Sequence, residues 1–294
     1  MRIANNSGRL ALVHNDRILD VERASDGGFT AEPMDAFARW GELTVWANSV
    51  DVDTHPDSSA LVDASLDAPS PRPRQVLGIG LNYADHAAEA GLPIPTTPVV
   101  FTKFPSSVAG PDVDVALPGP TVDWEAELVI VIAKGGRNIP LAEARSHVAG
   151  LTVGQDLSER TVQWQGEPAQ FSLGKSFENF APIGPVIVTL DELADPDRLT
   201  ITTTIVGADG TQAEVQNGAT DQLIFGLDEL ITRLSKTIEL LPGDLIFTGT
   251  PPGVGAGRNP KRFLVAGETL VTEISGIGQI SQRFVPEHRI DGSA

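Results

Sequence analysis

Cysteine is absent from the 294 residues, which excludes a disulfide framework, a thiol nucleophile and a thiolate metal site together. Long apolar runs are missing as well. The longest aliphatic block, Leu128 to Ala133, falls far short of a membrane-crossing helix, and Met1-Arg2-Ile3-Ala4-Asn5-Asn6 contains no signal-peptide core. Positive charge is scarce: 21 Lys and Arg stand against 39 Asp and Glu, for a formal net charge of −18. Nucleic acid and anionic membranes would both be repelled, so neither is expected as a partner. A small anionic substrate would have to be drawn in by local positive charge or a metal, against the global field. These absences set the expectation of a soluble, cytoplasmic protein.

Glycine and proline are plentiful, 29 and 22 residues, which points to many turns and a β-rich body. The length allows one large domain or one large and one small domain. Leu10–Val13 and Ile18–Val21 flank His14-Asn15-Asp16, the pattern of a hairpin. Pro33 opens a helix expected over Met34–Trp46. A polar stretch then leads into Pro69-Ser70-Pro71-Arg72-Pro73, a semi-rigid connector. The domain division expected is therefore residues 1–70, a small accessory domain, and residues 75–286, the larger one.

In the second part, strands are expected at Val76–Ile79, Val99–Lys103, Leu128–Ala133, Leu151–Gln155, Ile183–Val188, Leu199–Val206, Leu245–Thr248 and Thr269–Ile274. Helices are fewer: Ala84–Ala90, Leu141–His147 and Leu227–Ser235, the last with Leu227, Leu230, Ile231 and Leu234 as one apolar stripe. Strands that outnumber helices, without regular long helices between them, argue for an α+β chain, a mixed β-sandwich or roll, rather than a doubly wound sheet.

The sharpest chemical signal is Asp123-Trp124-Glu125-Ala126-Glu127-Leu128, followed at once by Val129-Ile130-Val131-Ile132. On an extended chain Glu125 and Glu127 point to the same face. Two carboxylates at the mouth of an apolar sheet repel each other and lose hydration unless a cation sits between them, and a hard divalent ion prefers such oxygens. Asp156, at the end of the Leu151–Gln155 strand, is a candidate third ligand; a helix N-cap is its other reading. In Gly78-Ile79-Gly80-Leu81-Asn82-Tyr83-Ala84-Asp85-His86-Ala87-Ala88-Glu89, a helix would set His86 and Glu89 on one face. The carboxylate then makes the imidazole a competent general base, although a solvated surface pair has the same spacing. The third glycine of a dinucleotide loop is lacking. Lys103 and Lys175 stand among apolar neighbours, where an ammonium is costly unless it is paired or holds an anion. Gly243-Asp244-Leu245-Ile246-Phe247-Thr248-Gly249-Thr250-Pro251-Pro252-Gly253 is a glycine turn able to offer N–H donors to a carboxylate or to serve as a tight structural turn.

Taken in order, these segments resemble the fumarylacetoacetate hydrolase family, in the branch of acylpyruvate hydrolases and 2-oxo-acid isomerases and decarboxylases. The resemblance rests on Gly80–His86, Pro98–Lys103, Trp124–Leu128, Gly154–Ser158, Gly174–Phe177 and Gly243–Pro251. It implies a homodimeric mixed β-sandwich roll with Mg²⁺ or Mn²⁺ on Glu125, Glu127 and Asp156, and His86 and Glu89 on a lid activating water. It implies Lys175 beside the substrate oxygens, and Arg160, Gln163 and Thr250 around the substrate carboxylate, with Lys103 a further substrate-binding candidate. The reaction it implies first is C–C hydrolysis of a 2,4-dioxo acid through a pyruvate enolate. Oxo-acid decarboxylation or isomerisation, and plain oxo-acid binding, are the alternatives. One departure bears on the substrate: Arg160-Thr161 stands where relatives commonly have Arg-Asp.

Overall fold

The computed structural model of the chain describes residues 1–85 and 93–287. Its spine is a mixed sheet whose strand order is Ser59–Ala60, Arg17–Asp20, Arg9–His14, Arg2–Asn6, Ala181–Val188, Val148–Gln155, Ala126–Ile132, Leu245–Phe247, Val76–Gly80, Val99–Thr102. A second sheet of five strands runs Gln212–Ala219, Thr200–Val206, Thr269–Ile274, Gly278–Pro286, Asp112–Leu117. The chain is strand-rich, as expected for the family. No helix among the described residues is long and apolar enough to cross a membrane.

The Ala126–Ile132 strand shows why the fold closes where it does. All seven residues are buried, so both faces of an aliphatic run need cover. Leu128, Ile130 and Ile132 pack in a core with Ile201, Ile274 and Ile280 of the second sheet and with Leu227, Leu230, Ile231 and Leu234. Val129 and Val131 join a different core with Phe37 and Leu43 from the N-terminal segment. The apolar stripe of the Leu227–Ser235 helix has thus found the partner its spacing required.

Residues 1–70 bring the expected hairpin, Arg9–His14 on Arg17–Asp20, and extend the spine directly: Arg2–Asn6 pairs antiparallel with Ala181–Val188. The expected Met34–Trp46 helix is two pieces, Asp35–Ala38 and Trp40–Ala47. It breaks at Arg39, whose φ of −125° is not helical and whose guanidinium bonds both Glu42 and the Gly28 carbonyl. Leu141–His147 forms tight 3₁₀ turns rather than an α-helix.

Candidate active site

The site lies where the Ala126–Ile132 and Val148–Gln155 strands end side by side. Antiparallel register pairs Ala126 with Gln155. One residue further on, the Asp156 amide donates to the Glu125 carbonyl at 2.9 Å. That register carries Asp156 to the two glutamates, and carboxylate oxygens of Glu125, Glu127 and Asp156 lie within 4.8 Å of one another. Asp156 is no helix cap: the following helix, Arg160–Gln163, is capped by Glu159, which accepts from the Val162 amide.

Two buried amides brace this corner. Gln155 Oε1 accepts from the Glu125 amide at 2.9 Å while its Nε2 donates to Thr272. Gln216 Oε1 accepts from the Ala126 amide at 3.0 Å while its Nε2 donates to Thr250 Oγ1 and the Pro251 carbonyl. The glycine turn after Leu245–Phe247 supplies the donor its composition suggested: Gly249 N–H reaches Glu127 Oε2 at 2.6 Å. Gly249 has φ +101°, and a Cβ there would sit 2.8 Å from Asn82 Cβ, so only glycine delivers that amide without strain. Asn82 holds the turn from the other side, donating to the Thr248 and Phe225 carbonyls.

The cations are as tightly held. Lys175 Nζ donates to Glu125 at 2.9 Å, Asp156 at 2.6 Å and Ser158 at 2.8 Å. Gly174 lets this lysine in, since a Cβ there would come 2.5 Å from the Gln163 amide nitrogen. Arg160 bonds Asp123, Glu125 and Gln163. Lys103, only 1% exposed, donates to Asp156 Oδ1 at 2.5 Å and to the Leu157 and Lys175 carbonyls.

These neighbours set the ionisation. Burial alone would raise the Glu125 carboxyl, but Lys175 and Arg160 outweigh it and hold it at about 2. Burial pushes Glu127 well above the ordinary carboxylate range, and the charges of Asp156 and Glu125 push it further. Burial pulls the Lys103 ammonium down against the attraction of Asp156. Burial would lower Lys175 too, but Asp156 and Glu125 outweigh it and raise the ammonium above its usual value.

Three hard oxygen donors converging with one of them, Glu127, left short of positive charge is the donor set a divalent cation suits. The residues present therefore fit such an ion.

Above the cluster opens a cavity of about 300 Å³. Glu125, Glu127, Arg160, Gln163, Lys175 and Thr250 of the expected set line it. Asp156 lies at the cluster beneath. Lys103, expected to bind substrate, is not among the lining residues. Its strand ends at Thr102 and its side chain turns inward behind Asp156. His86 and Glu89 lie outside the described residues. Asp123 was missed by the sequence reading. Fully buried, it accepts from the Gly255 and Ala256 amides and from Arg160, tying the arginine to the turn that forms one cavity wall. Its one visible signal was its place two residues before Glu125.

Comparison with known proteins agrees with this geometry. The family model described as fumarylacetoacetate (FAA) hydrolase, C-terminal, matches residues 75–285. The chain is 43% identical over 220 residues to the human mitochondrial oxaloacetate tautomerase FAHD2A, covering 74% of this chain and 68% of that protein. Among solved structures, a putative HpcE protein from Mycobacterium smegmatis superposes with TM-score 0.90 at 51% identity, covering 97% of this chain and 99% of that one. A probable 2-hydroxyhepta-2,4-diene-1,7-dioate isomerase from Mycobacterium abscessus superposes with TM-score 0.82 at 28% identity, covering 97% and 98%. A family match over most of the chain, a close relative across three quarters of it and whole-length structural agreement leave one conclusion: the chain belongs to the fumarylacetoacetate hydrolase family.

Proposed function

We propose that this protein interconverts the keto and enol forms of a small 2-oxo acid, with Mg²⁺ or Mn²⁺ held by Glu125, Glu127 and Asp156. The observation that carries the reading is the three-carboxylate cluster, within 4.8 Å, with the Lys175 ammonium 2.9 and 2.6 Å from two of its members. Enolisation moves a proton off C3 and builds negative charge on the 2-oxo oxygen, which fixed positive charge in a dry site stabilises. When bound, the cation supplies Lewis-acid polarisation of the 2-oxo and carboxylate oxygens.

The chain's own groups do the rest. Lys175 keeps a fixed positive charge beside the place where oxygen charge builds. Arg160, Gln163 and Thr250 face the cavity and orient the substrate carboxylate. His86, with Glu89 raising its basicity, is assigned the proton at C3; both residues lie outside the described part of the chain. Relatives named as an oxaloacetate tautomerase and a dienedioate isomerase support this enolate chemistry over C–C cleavage, which the motifs had put first. Cleavage stands second because it uses the same enolate as its leaving group and adds an activated water.

The test follows enol absorbance of oxaloacetate with Mg²⁺ or Mn²⁺, beside pyruvate release from an acylpyruvate. Faster enol-to-keto conversion than buffer and metal alone supports the proposal. Pyruvate release without tautomerisation moves the assignment to hydrolysis, and inactivity on both retires the enzyme reading. Substituting His86 should abolish any hydrolysis and leave part of an enolate-stabilising reaction.

A further inference from the structure

Apolar side chains share the cavity lining with the charged groups: Ile79, Val99, Phe101, Trp164, Phe171 and Val254. Three of them form a chain of aromatic contacts that begins at the ammonium. Lys175 Nζ lies 4.9 Å from the Phe101 ring centre. Phe101 meets Phe171 edge to face at 5.9 Å, and Phe171 meets Trp164 the same way at 5.2 Å. Trp164 is 59% exposed, in a short polar segment, with one face of its packing made by Phe171. A large aromatic left open at the rim of an apolar cavity is a surface suited to a flat ligand group.

The charges point the same way. The only cations lining the cavity among the described residues are Arg160 and Lys175. Each already has partners, Arg160 in Asp123, Glu125 and Gln163 and Lys175 in Glu125, Asp156 and Ser158, and the reading above commits Arg160 to the first substrate carboxylate and Lys175 to the 2-oxo oxygen. The connected cluster counts four carboxylates, Asp123, Glu125, Glu127 and Asp156, against Lys103, Lys175 and Arg160. With Glu127 ionised, as a metal ligand would be, one negative charge is left over. A bound dication reverses it to one positive, and a single substrate carboxylate brings the site to neutrality. A second carboxylate would lie against the apolar lining with no unengaged cation among the described lining residues, which is costly.

We propose that this site selects a 2-oxo acid whose C3 substituent is uncharged and apolar, an aromatic ring fitting best, over a 2-oxo diacid. Trp164 and Phe171 determine that preference. The proposal rests on the enolate reading above and names the substrate class within it. The reaction is balanced as an isomerisation: the C3 proton leaves, the 2-oxo oxygen is protonated, and nothing is oxidised or reduced.

The test compares phenylpyruvate with oxaloacetate on the full chain with Mn²⁺, by calorimetric binding and by enol–keto conversion. Wild type is expected to bind phenylpyruvate about tenfold or more tightly than oxaloacetate. W164A should shrink that ratio at least about fivefold, with W164F keeping most of it, and W164K should tilt it towards the diacid. Trp164 is exposed enough that these variants fold, which thermal melts check. Wild type favouring oxaloacetate, or a ratio that ignores all three substitutions, overturns the proposal. Tautomerisation of oxaloacetate without a phenylpyruvate preference sinks this inference alone. Preferential phenylpyruvate binding with no turnover of either acid sinks the enolate reading alone, and binding of neither sinks both.

Discussion

The floor and the wall of the cavity are built on opposite terms. The floor carboxylates are held by polar partners: Asp156 receives Lys103 and Lys175, Glu125 receives Lys175 and Arg160, and Glu127 receives the Gly249 amide. The wall touches its neighbours through ring edges and methyl groups, and Trp164 stands largely in water. A buried network tolerates no loose member, because an unpaired charge in low dielectric costs far more than a paired one gains. The exposed part of the wall, Trp164 above all, tolerates change more freely. The contrast teaches that charge stabilisation is locked into this fold while the shape of the substrate's far end is adjustable.

Removing a cation from the floor should give the largest effect. In Lys103→Met, Asp156 loses the partner at 2.5 Å and the Lys175 and Leu157 carbonyls lose their donor. A loss of about 3–5 kcal/mol in unfolding free energy is expected for the metal-free protein, measured by denaturant titration. A loss below about 1 kcal/mol would mean that Lys103 does not hold the floor together.

Glu127→Gln should act on metal rather than on folding. Glu127 is the floor carboxylate that burial and like charge already hold towards neutrality, so the amide replaces a form close to the metal-free state. Mn²⁺ affinity should fall roughly 100-fold or more, at or beyond what losing a supporting group costs, read by calorimetry. Unchanged affinity would remove Glu127 from the metal site.

The same carboxyl gives a pH dependence of definite sign. Glu127 has a raised pKa in the folded state, so its contribution to metal-free stability is full below the unfolded value and is lost as pH rises through the folded one. Glu125, held at about 2, contributes above its ordinary value and loses that as pH falls through about 2. Raising the pH should therefore destabilise metal-free wild type relative to E127Q. Mn²⁺ must displace the Glu127 proton, so its affinity should rise by about tenfold per pH unit below the folded pKa, with a flatter dependence in E127Q. Parallel slopes for both proteins would show that Glu127 is ionised throughout.

The floor was also the more legible region, and only in part. Glu125 and Glu127 could be read because two carboxylates at a period of two stood directly before an aliphatic run. Lys103 and Lys175 could both be read as needing an anion, because each ammonium stands among apolar neighbours. The depth of Lys103 could not, since its partners Asp156 and Lys175 are 53 and 72 residues away and no local pattern shows a side chain turning inward at a strand end. Gln216 was invisible for a related reason. Its strand, Gln212–Ala219, carries no aliphatic alternation and has exposed residues along it, so neither the strand nor its buried bracing amide left a signal. Gly278–Pro286 escaped because Gln282 stands buried on its inner face; Asp112–Leu117, which pairs parallel with it, alternates Asp and Val and was legible but passed over. The aromatic wall was hardest to see: Phe101, Trp164 and Phe171 come from separate segments, brought together where the Arg160–Gln163 and Phe171–Gly174 helices meet each other and the Val99–Thr102 strand.

The smallest expected effect sharpens the contrast from the other side. Trp164→Ala should cost less than about 1 kcal/mol of stability, because an exposed indole gives up little beyond one edge-to-face contact. Thermal or denaturant unfolding beside Lys103→Met checks it. If the tryptophan proves as costly as the lysine, the wall is a structural element like the floor, and a substrate preference would have to be sought elsewhere in the cavity. If the two differ by several-fold as expected, the chain has placed its stability in the charges and its freedom to change in the rings.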